Sequence, residues 1–237
     1  MATTLFISDL HLSDNTPEIE AGLYALLERE HGMDRLYILG DFFEYWIGDD
    51  DDAPLNRRVI ARLKAVSDSG TAVFVVRGNR DLALGDVFAH QIGAQLLGDT
   101  TVIDLNGTPA LILHGDTLCT DDVEYQKMRV VLHDPSWQAE MLQRPLSERR
   151  EFAQGLRAAS KAKAENDPDN IIDVNDDAVA ASFSEHKVGL MIHGHTHRPN
   201  RHRTEGGERL VLGDWSANES WIIRSTDSGC QLEHYRY

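Results

Sequence analysis

The chain has 237 residues, with 39 acidic and 23 basic side chains and a formal net charge of −16. This negative balance excludes a broad nucleic-acid-binding surface, because contacts to a phosphate backbone are made by Lys and Arg. The length is sufficient for a sizeable core, so we expect a single α/β domain over residues 1–237.

Cysteine usage and the N-terminal residues indicate a cytoplasmic protein. Cys119 and Cys230 match no metal-binding spacing, which is typical of thiols in a reducing compartment. Asp9 and His11 come too early for a signal peptide, and no apolar run approaches the ~18 to 20 residues of a membrane span. We therefore expect a protein that does not cross a membrane.

Five short apolar runs are the predicted buried strands, and each one ends in side chains that bind metals. Unbroken apolar runs are typical of strands that are buried on both faces. Ligands of open α/β sheets bind outside the carboxyl ends of the strands, so these clusters are expected to converge on one site. The runs are residues 5–7, 36–39, 73–76, 111–113 and 189–192, and the clustered side chains are Asp9, His11, Asp41, Asn79, His114, His195 and His197.

Helical spacing of apolar residues separates the first three runs. Residues 17–31 and 55–66 carry apolar side chains at helical offsets, and Gly32 and Gly70 follow as stop signals. Strands that alternate with helices predict a βαβαβ unit with a largely parallel sheet. Gly-rich turns separate the later runs 209–212, 221–223 and 231–237, which we expect to be antiparallel strands closing a second sheet.

Residues 121–173 fit neither pattern and are predicted to form a helical insertion, or lid. Within it, residues 144–163 hold six basic and two acidic side chains, interleaved with large apolar ones. Such a stretch is either a solvated helix face or a binding patch, and the second reading predicts attraction to anionic membranes. The acidic run Asp49–Asp52 is most simply interpreted as a solvated loop.

The ligand types indicate the metal and the reaction. Four His, two Asp and one Asn, without thiolate, suit Mn²⁺, Fe²⁺ or Zn²⁺. If Asp41 bridges two ions, each ion has four protein ligands and room for water and a substrate oxygen. Such a pair, ~3.5 to 4 Å apart, activates water for in-line displacement at phosphorus. We therefore expect hydrolysis of a phosphoester or phosphoanhydride.

These motifs resemble the signature of the calcineurin-like metallophosphoesterases over the full domain. The resemblance implies a sandwich of two mixed β-sheets flanked by helices. It also implies that Asp9, His11, Asp41 and His197 hold one ion, and that Asp41, Asn79, His114 and His195 hold the other. The matching residues are Asp9 and His11, Gly40-Asp41, Gly78-Asn79-Arg80-Asp81, His114-Gly115-Asp116 and Gly194-His195-Thr196-His197.

Arg80 departs from the common pattern of that superfamily, in which a His follows the metal-binding Asn. An Arg does not supply a proton near neutral pH, but its fork of donors neutralises phosphate oxygens. This suits a leaving group that is itself a phosphate monoester, so a pyrophosphate bond is the predicted target. Arg80, Asp41, Asn79 and His195 are the predicted catalytic residues.

Longer strings at residues 40–50, 119–126 and 172–174 resemble the bacterial UDP-2,3-diacylglucosamine pyrophosphohydrolase family. That resemblance implies hydrolysis of UDP-2,3-diacylglucosamine to 2,3-diacylglucosamine 1-phosphate and UMP in lipid A biosynthesis. It implies two Mn²⁺ ions per chain and peripheral contact with the cytoplasmic face of the inner membrane. The insertion would then shelter acyl chains, whose burial is worth about 0.8 kcal/mol per CH₂.

By the same resemblance, the substrate contacts are Asn79, Arg80, Asp122, Ser160 and His195, with Tyr125 as an expected neighbour. Lys163 is added to the expected contacts as a substitute for a Lys that the family carries at position 167. The chain departs from the family at positions 164 and 167, where it carries Ala and Asp. Two alternatives stay open: a dinuclear phosphoesterase acting on soluble nucleotides, and a non-catalytic scaffold, which loss of metal ligands would mark. Two supporting roles are also expected: Asp116 would orient His114, and Asp81 would hold Arg80 or cap a helix.

Overall fold

The computed structural model describes residues 2–166 and 173–237, and the side chains of residues 163–166 are not described. Two mixed β-sheets pack face to face between layers of helices. In the order in which the strands are hydrogen-bonded, the first sheet consists of β11 (Gly229–Arg236), β10 (Glu219–Thr226), β1 (Thr4–Ile7), β2 (Arg35–Leu39), β3 (Ala72–Val76) and β4 (Ala94–Leu96). The second sheet consists, in the same sense, of β5 (Thr100–Leu105), β6 (Thr108–Leu113), β7 (Leu190–His193), β9 (Gly207–Val211) and β8 (Asn200–Thr204). The predicted α/β sandwich of two mixed sheets flanked by helices is confirmed.

The first half of the chain forms the predicted βαβαβ unit. Strands β1 (Thr4–Ile7), β2 (Arg35–Leu39) and β3 (Ala72–Val76) are parallel. Helices α1 (Pro17–Arg29) and α2 (Pro54–Asp68) connect them. Each helix begins with Pro, whose fixed φ and missing N–H suit the first turn.

Burial on both faces explains why the early strands are unbroken apolar runs. Leu5 and Ile7 pack against the helices, whereas Phe6, between them, packs in the core between the two sheets. Side chains alternate across a strand, so both sets are removed from water only because each face of the sheet is covered.

The second sheet contains β5 (Thr100–Leu105), β6 (Thr108–Leu113), β7 (Leu190–His193), β8 (Asn200–Thr204) and β9 (Gly207–Val211). Its outer face packs against α7 (Asp176–His186) through Met191 and Phe183. Short elements α3 (Asp86–Ile92) and β4 (Ala94–Leu96) complete the edge of the first sheet.

The prediction that the last three runs close a second antiparallel sheet was wrong. β10 (Glu219–Thr226) and β11 (Gly229–Arg236) are antiparallel, but they extend the first sheet beside β1. β9 does lie in the second sheet, where it is parallel to β7. Leu210 and Ile223 face the same core between the sheets, so their hydrophobic pattern does not distinguish one sheet from the other.

Three helices occupy the described part of the segment predicted as an insertion: α4 (Val123–Leu132), α5 (Pro135–Leu142) and α6 (Leu146–Asn166). The carboxylates of Asp122 and Asp134 cap α4 and α5 by accepting backbone N–H groups. Across residues 2–166 and 173–237, no helix has the length and hydropathy needed to span a membrane.

Candidate metal centre and substrate pocket

All seven predicted ligands meet at one end of the sandwich. Asp9 and His11 follow β1, Asp41 follows β2 and Asn79 follows β3, all in the first sheet. The second sheet contributes the other three, which come after β6 and β7: His114, His195 and His197. The predicted convergence of strand ends is therefore observed, and the two sheets share the site.

The backbone of this cluster is unusual. Among the described residues, seven non-glycine residues have positive φ, and five of them belong to the cluster: Asp9, His11, Asp41, His195 and His197. L-residues in this left-handed region pay roughly 1 to 2 kcal/mol each. Such strain is concentrated at functional sites because it aims side chains that a regular strand would direct elsewhere.

Motif glycines allow these strained turns to approach one another. A Cβ at Gly78 would collide with the backbone N of Asp41, and a Cβ at Gly194 would collide with the Asp9 carboxylate. The glycine before Asn79 and the one before His195 are thus required by close packing of the ligand-bearing loops.

One half of the cluster consists of Asp9, His11 and His197, whose ligand atoms lie within 4.8 Å of one another. The Nε2 atoms of the two His rings are 3.2 Å apart, and His197 Nε2 lies 3.4 Å from Asp9 Oδ1. His11 Nδ1 is buried without a hydrogen-bond partner and lies 4.0 Å from Asp41 Oδ2. A buried, unpaired imidazole nitrogen beside carboxylates fits a metal ligand.

The other half combines Asp41, Asn79, His114 and His195. Asn79 Oδ1 lies 3.0 Å from both His114 Nε2 and His195 Nδ1, and His114 Nε2 lies 3.5 Å from Asp41 Oδ1. The Nδ1 of His114 donates to the Leu39 carbonyl at 2.9 Å, which directs Nε2 into the cluster. This oxygen and nitrogen donor set fits a hard or borderline divalent ion.

The electrostatic field of the cluster favours a cation. Burial opposes ionisation of Asp9, yet the hydrogen bond from His197 and its charge lower the pKa of Asp9. Burial also opposes protonation of His114, but the charges of Asp41 and Asp9 raise the pKa of His114 to about 9. Burial lowers the pKa of His11 to about 3, so that ring stays neutral and able to bind a metal.

Surrounding side chains hold the loops, and two of our predictions about them were wrong. Among the described residues, no hydrogen bond or ion pair joins the Asp81 carboxylate to the Arg80 side chain, and Gly85 rather than Asp81 is the N-cap of α3. The Asp81 carboxylate accepts backbone N–H groups of Gly78 at 2.8 Å and Phe42 at 2.7 Å. Asp116 does not hydrogen-bond to His114; it accepts from the Tyr125 hydroxyl at 2.6 Å and from Arg129 Nε at 2.7 Å. Backbone N–H groups thus take the place of Arg80 as partners of Asp81, and two side chains of α4 take the place of His114 as partners of Asp116.

Arg80 lies between the cluster and the insertion. Its backbone N donates to Asp41 Oδ1 at 2.9 Å, and its Nε lies 3.4 Å from Asp41 Oδ2. Its Nη1 donates to Glu44 Oε2 at 2.7 Å, while Arg157 of α6 donates from Nε to Glu44 Oε1 at 2.6 Å. A carboxylate on the core thus joins an arginine beside the cluster to an arginine of the insertion.

A largely apolar pocket of about 300 Å³ opens beside this arrangement. Its polar end includes Asn79, Arg80 and Arg157. Its apolar wall comes from the core and from all three insertion helices, and includes Trp46, Leu84, Met128, Leu132, Trp137, Met141, Leu142, Phe152 and Leu156. The pocket therefore suits a molecule that carries phosphate at one end and hydrocarbon at the other.

Comparison with known proteins identifies the family. The calcineurin-like phosphoesterase family model matches residues 2–199. UDP-2,3-diacylglucosamine hydrolases of Marinobacter nauticus and Cellvibrio japonicus are 47% and 46% identical, each over 98% of this chain and 97% and 98% of theirs. The Escherichia coli O7:K1 enzyme of that name is 45% identical, over 99% of both chains. The chain belongs to the UDP-2,3-diacylglucosamine hydrolase family of calcineurin-like phosphoesterases.

The fold agrees with this family. A solved archaeal phosphodiesterase matches with a TM-score of 0.51 over 99% of each chain, at 11% sequence identity. The resemblance read from the motifs is confirmed by these relatives. The role that each motif residue has in this chain stays a prediction, which the geometry supports.

The predicted substrate contacts are only partly brought together. Asn79, Arg80, Tyr125 and Ser160 line the pocket, and the Tyr125 ring lies 6.1 Å from the His195 ring. Asp122 instead caps α4 by accepting from Tyr125 N at 3.1 Å, outside the pocket lining. The side chains of Lys163 and residue 164, and the whole of residue 167, lie outside the described residues.

The acidic run Asp49–Asp52 is only partly the solvated loop that we predicted, because Asp52 is largely exposed whereas the other three carboxylates have partners in the protein. Asp49 accepts from Trp46 Nε1 and from two backbone N–H groups. Asp50 pairs with Arg149, and the buried Asp51 pairs with Arg150 at 3.2 Å. Two arginines of α6 therefore pair with two of the four carboxylates of this run.

Sequence reasoning overlooked Glu44 and Arg157 as site residues. They are 113 positions apart, so no local spacing connects them. Glu44 does follow Asp41 by three positions at the end of β2, which was the available signal.

Proposed function

We propose that this chain hydrolyses the pyrophosphate bond of UDP-2,3-diacylglucosamine, giving 2,3-diacylglucosamine 1-phosphate and UMP in lipid A biosynthesis. The observation that carries this proposal is the apolar pocket whose polar end joins the seven-residue cluster through Asn79 and Arg80. A diacylated sugar phosphate carries both a phosphate group and hydrocarbon chains, which match the polar end and the apolar wall. A soluble nucleotide has no hydrocarbon chain to contact the apolar wall. The names of the closely similar relatives support the same substrate.

The cluster is the proposed site of two divalent metal ions, with Mn²⁺ the expected metal and Fe²⁺ or Zn²⁺ as alternatives. When bound, the ions supply Lewis-acid stabilisation of phosphate oxygens and lower the pKa of a water molecule. Asp41 lies between both halves of the cluster and is the proposed shared ligand.

The chain's own residues orient the diphosphate and stabilise its charge. Arg80 is held beside Asp41, where its remaining N–H groups are available to phosphate oxygens. Asn79 Oδ1 lies 3.0 Å from His195 Nδ1 at the same edge of the sandwich. Both side chains would contact the phosphate that is attacked.

Arg80 favours one class of leaving group, a phosphate monoester, over an alkoxide. A guanidinium does not donate its proton near neutral pH, so an alkoxide would depart without acid assistance. A phosphate monoester departs as a stable anion, and Arg80 neutralises the charge that develops on it. The proposed reaction consumes one water molecule: its OH joins one phosphorus, the bond from that phosphorus to the bridging oxygen breaks, and the bridging oxygen leaves with the other phosphate. The remaining proton is released to solvent or taken up by the leaving phosphate.

We further infer peripheral contact with a membrane, on the cytoplasmic face of the inner membrane where the lipid substrate would be met. Val123, Val130 and Val131 share one face of α4 and are 54%, 74% and 51% exposed. Phe152 and Leu142 extend this apolar surface along the pocket edge. These side chains, rather than the ion-paired arginines of α6, support the contact.

Product analysis tests the proposed activity. Purified protein with Mn²⁺ is offered UDP-2,3-diacylglucosamine in detergent micelles, and separately UDP-glucose, a dinucleoside polyphosphate and para-nitrophenyl phosphate. Release of UMP from the lipid substrate at a far higher kcat/KM is the expected result. Preferential turnover of the soluble substrates would instead establish a nucleotide phosphoesterase, and no turnover of any would favour a scaffold.

A further inference from the structure

Glu44 is placed to organise the phosphate end of the pocket. Its backbone is fixed, because Glu44 N donates to the Leu12 carbonyl at 3.1 Å and Phe43 forms a β-bridge with Leu12. Its carboxylate then divides between two cations: Oε2 accepts from Arg80 and Oε1 accepts from Arg157. One anchored carboxylate thus sets the position of a guanidinium from the core and one from α6.

Both arginines retain donors for a ligand. Each guanidinium carries five N–H groups. Within the described residues, the Arg80 guanidinium has polar contacts only through Nε and Nη1, and the Arg157 guanidinium has an ion pair only through Nε. Both side chains line the pocket beside Asn79, at its boundary with the metal cluster. The unused N–H groups of both guanidinium groups therefore remain available to the oxygens of a ligand in the pocket.

We propose that Glu44 is a positioning residue that holds Arg80 and Arg157 as a paired cradle for the diphosphate, and that Arg157 is a second phosphate-binding arginine. This inference rests on the proposed function and extends it. Without the carboxylate, two like charges repel and each long side chain recovers its rotamer freedom. When the Glu44 carboxylate is present, Arg157 of α6 contacts the core through it. Docking of α6 onto the core therefore also positions the two arginines for phosphate binding.

Neutralising Glu44 distinguishes a positioning role from a purely electrostatic one, because the two roles predict opposite changes in the affinity for an anion. Glu44→Gln removes a negative charge beside an anion site, so Coulomb attraction alone predicts tighter binding of an anion. If the carboxylate instead competed with substrate for the arginines, binding would also tighten. Positioning predicts weaker binding despite the added positive charge.

The experiment measures binding of methylenediphosphonate, a non-hydrolysable diphosphate, to the Mn²⁺-loaded protein by calorimetry. We expect Kd to rise about tenfold in Glu44→Gln, which corresponds to about 1.4 kcal/mol. Glu44→Asp is expected to give a smaller loss. The matched control Glu140→Gln makes the same charge change at an exposed α5 residue that pairs with Arg144, and should leave Kd unchanged. Thermal unfolding of each variant shows whether the fold is intact.

A double-mutant cycle tests the route through Arg157. Glu44→Gln, Arg157→Gln and the double variant should show losses that do not add, because both changes remove the same arrangement. Unchanged or tighter diphosphate binding in Glu44→Gln, additive losses, or no measurable binding by the wild type would each overturn the inference. Kinetics with the lipid substrate keep the proposals separate: failure of the wild type to release UMP rejects the function, whereas normal KM and kcat in Glu44→Gln rejects only the positioning role.

Discussion

The residues of the metal cluster combine strained backbone with buried polar side chains. His197 has φ of 54° and Asp41 has φ of 48°, values that an L-residue adopts at a cost. His11 also has Nδ1 buried without a partner. Such a site loses stability in exchange for its geometry, and the stability is recovered when a ligand binds the buried atoms that have no partner.

The strain has a measurable consequence in metal-free protein. In EDTA, His197→Gly should be more stable than His197→Ala by about 1 kcal/mol, because Gly adopts positive φ without a steric penalty. Denaturant unfolding of the two variants measures the difference. The same Gly and Ala pair at Lys127, within helix α4, serves as the control and should show the opposite sign by about 1 kcal/mol. Equal stability at position 197 would show that the turn is not strained.

At the scale of elements, α6 is attached to the core by charge as well as by packing. The side chain of Arg149 is 4% exposed, and its Nη1 donates to the Ile47 carbonyl and to Asp50 Oδ1, each at 2.7 Å. Arg150 and Arg157 add contacts to Asp51 and Glu44. The acidic run after β2 is thus the docking surface for the basic helix.

Removing the central contact should loosen α6 while the sandwich stays folded. Arg149→Met leaves the Ile47 carbonyl and Asp50 without their donor, at a cost of about 2 kcal/mol to docking. We expect faster hydrogen exchange in residues 146–160, measured by mass spectrometry, with unchanged exchange in β1 to β3. Arg144→Met, at an exposed ion pair with Glu140, is the matched control. Unchanged protection of α6 would show that packing alone holds it.

The same contact defines how docking depends on pH. The hydrogen bond from Arg149 lowers the pKa of Asp50 despite its partial burial. A carboxyl whose pKa is lowered in the folded state stabilises fully above its usual pKa of about 4 and loses that contribution as pH falls through the folded value. The protection of α6 amides, which is the intrinsic exchange rate divided by the observed rate at the same pH, should therefore be constant from about pH 8 to 5 and fall only in stronger acid.

At the scale of the whole molecule, metal binding and folding should be coupled. Both sheets contribute ligands, so an ion in the cluster connects them. At a hundredfold excess over Kd, binding adds about 2.7 kcal/mol, or roughly 5 to 10 °C in Tm for a chain of this size. We expect EDTA to lower Tm by this amount and Mn²⁺ to restore it in a thermal scan. His11→Ala should respond less, and an identical Tm with and without metal would contradict a structural link.

The apolar surface of α4 predicts how the molecule meets lipid. Val130→Glu with Val131→Glu should reduce sedimentation with bacterial phospholipid vesicles, because two exposed apolar side chains become charged. Val102→Glu with Thr100→Glu, on exposed β5 of the other sheet, provides the control. Binding that resists high salt is expected, since the arginines of α6 are already paired. Loss of binding at high salt, or equal binding by both variants, would argue against this surface.

Much of the site was determined by the sequence itself. Asp9, Asp41, Asn79, His114 and His195 each follow an apolar run, and strand ends in an α/β sandwich meet at one edge. This relation depends on local pattern alone, so the convergence of these residues on one site and the βαβαβ unit were predictable. The family motifs then implied the two-sheet fold and the pyrophosphate bond, and the similar relatives agree.

Only the tertiary structure decided which elements pair across long distances. β9 is parallel to β7 and β10 joins β1, although their apolar patterns are alike, because both sheets bury residues in one shared core. Charge pairing was equally hidden: Glu44 meets Arg157 across 113 residues. Local sequence specifies which face of a strand or helix is apolar and where it ends, whereas partners are selected by packing and charge among segments that the sequence keeps far apart.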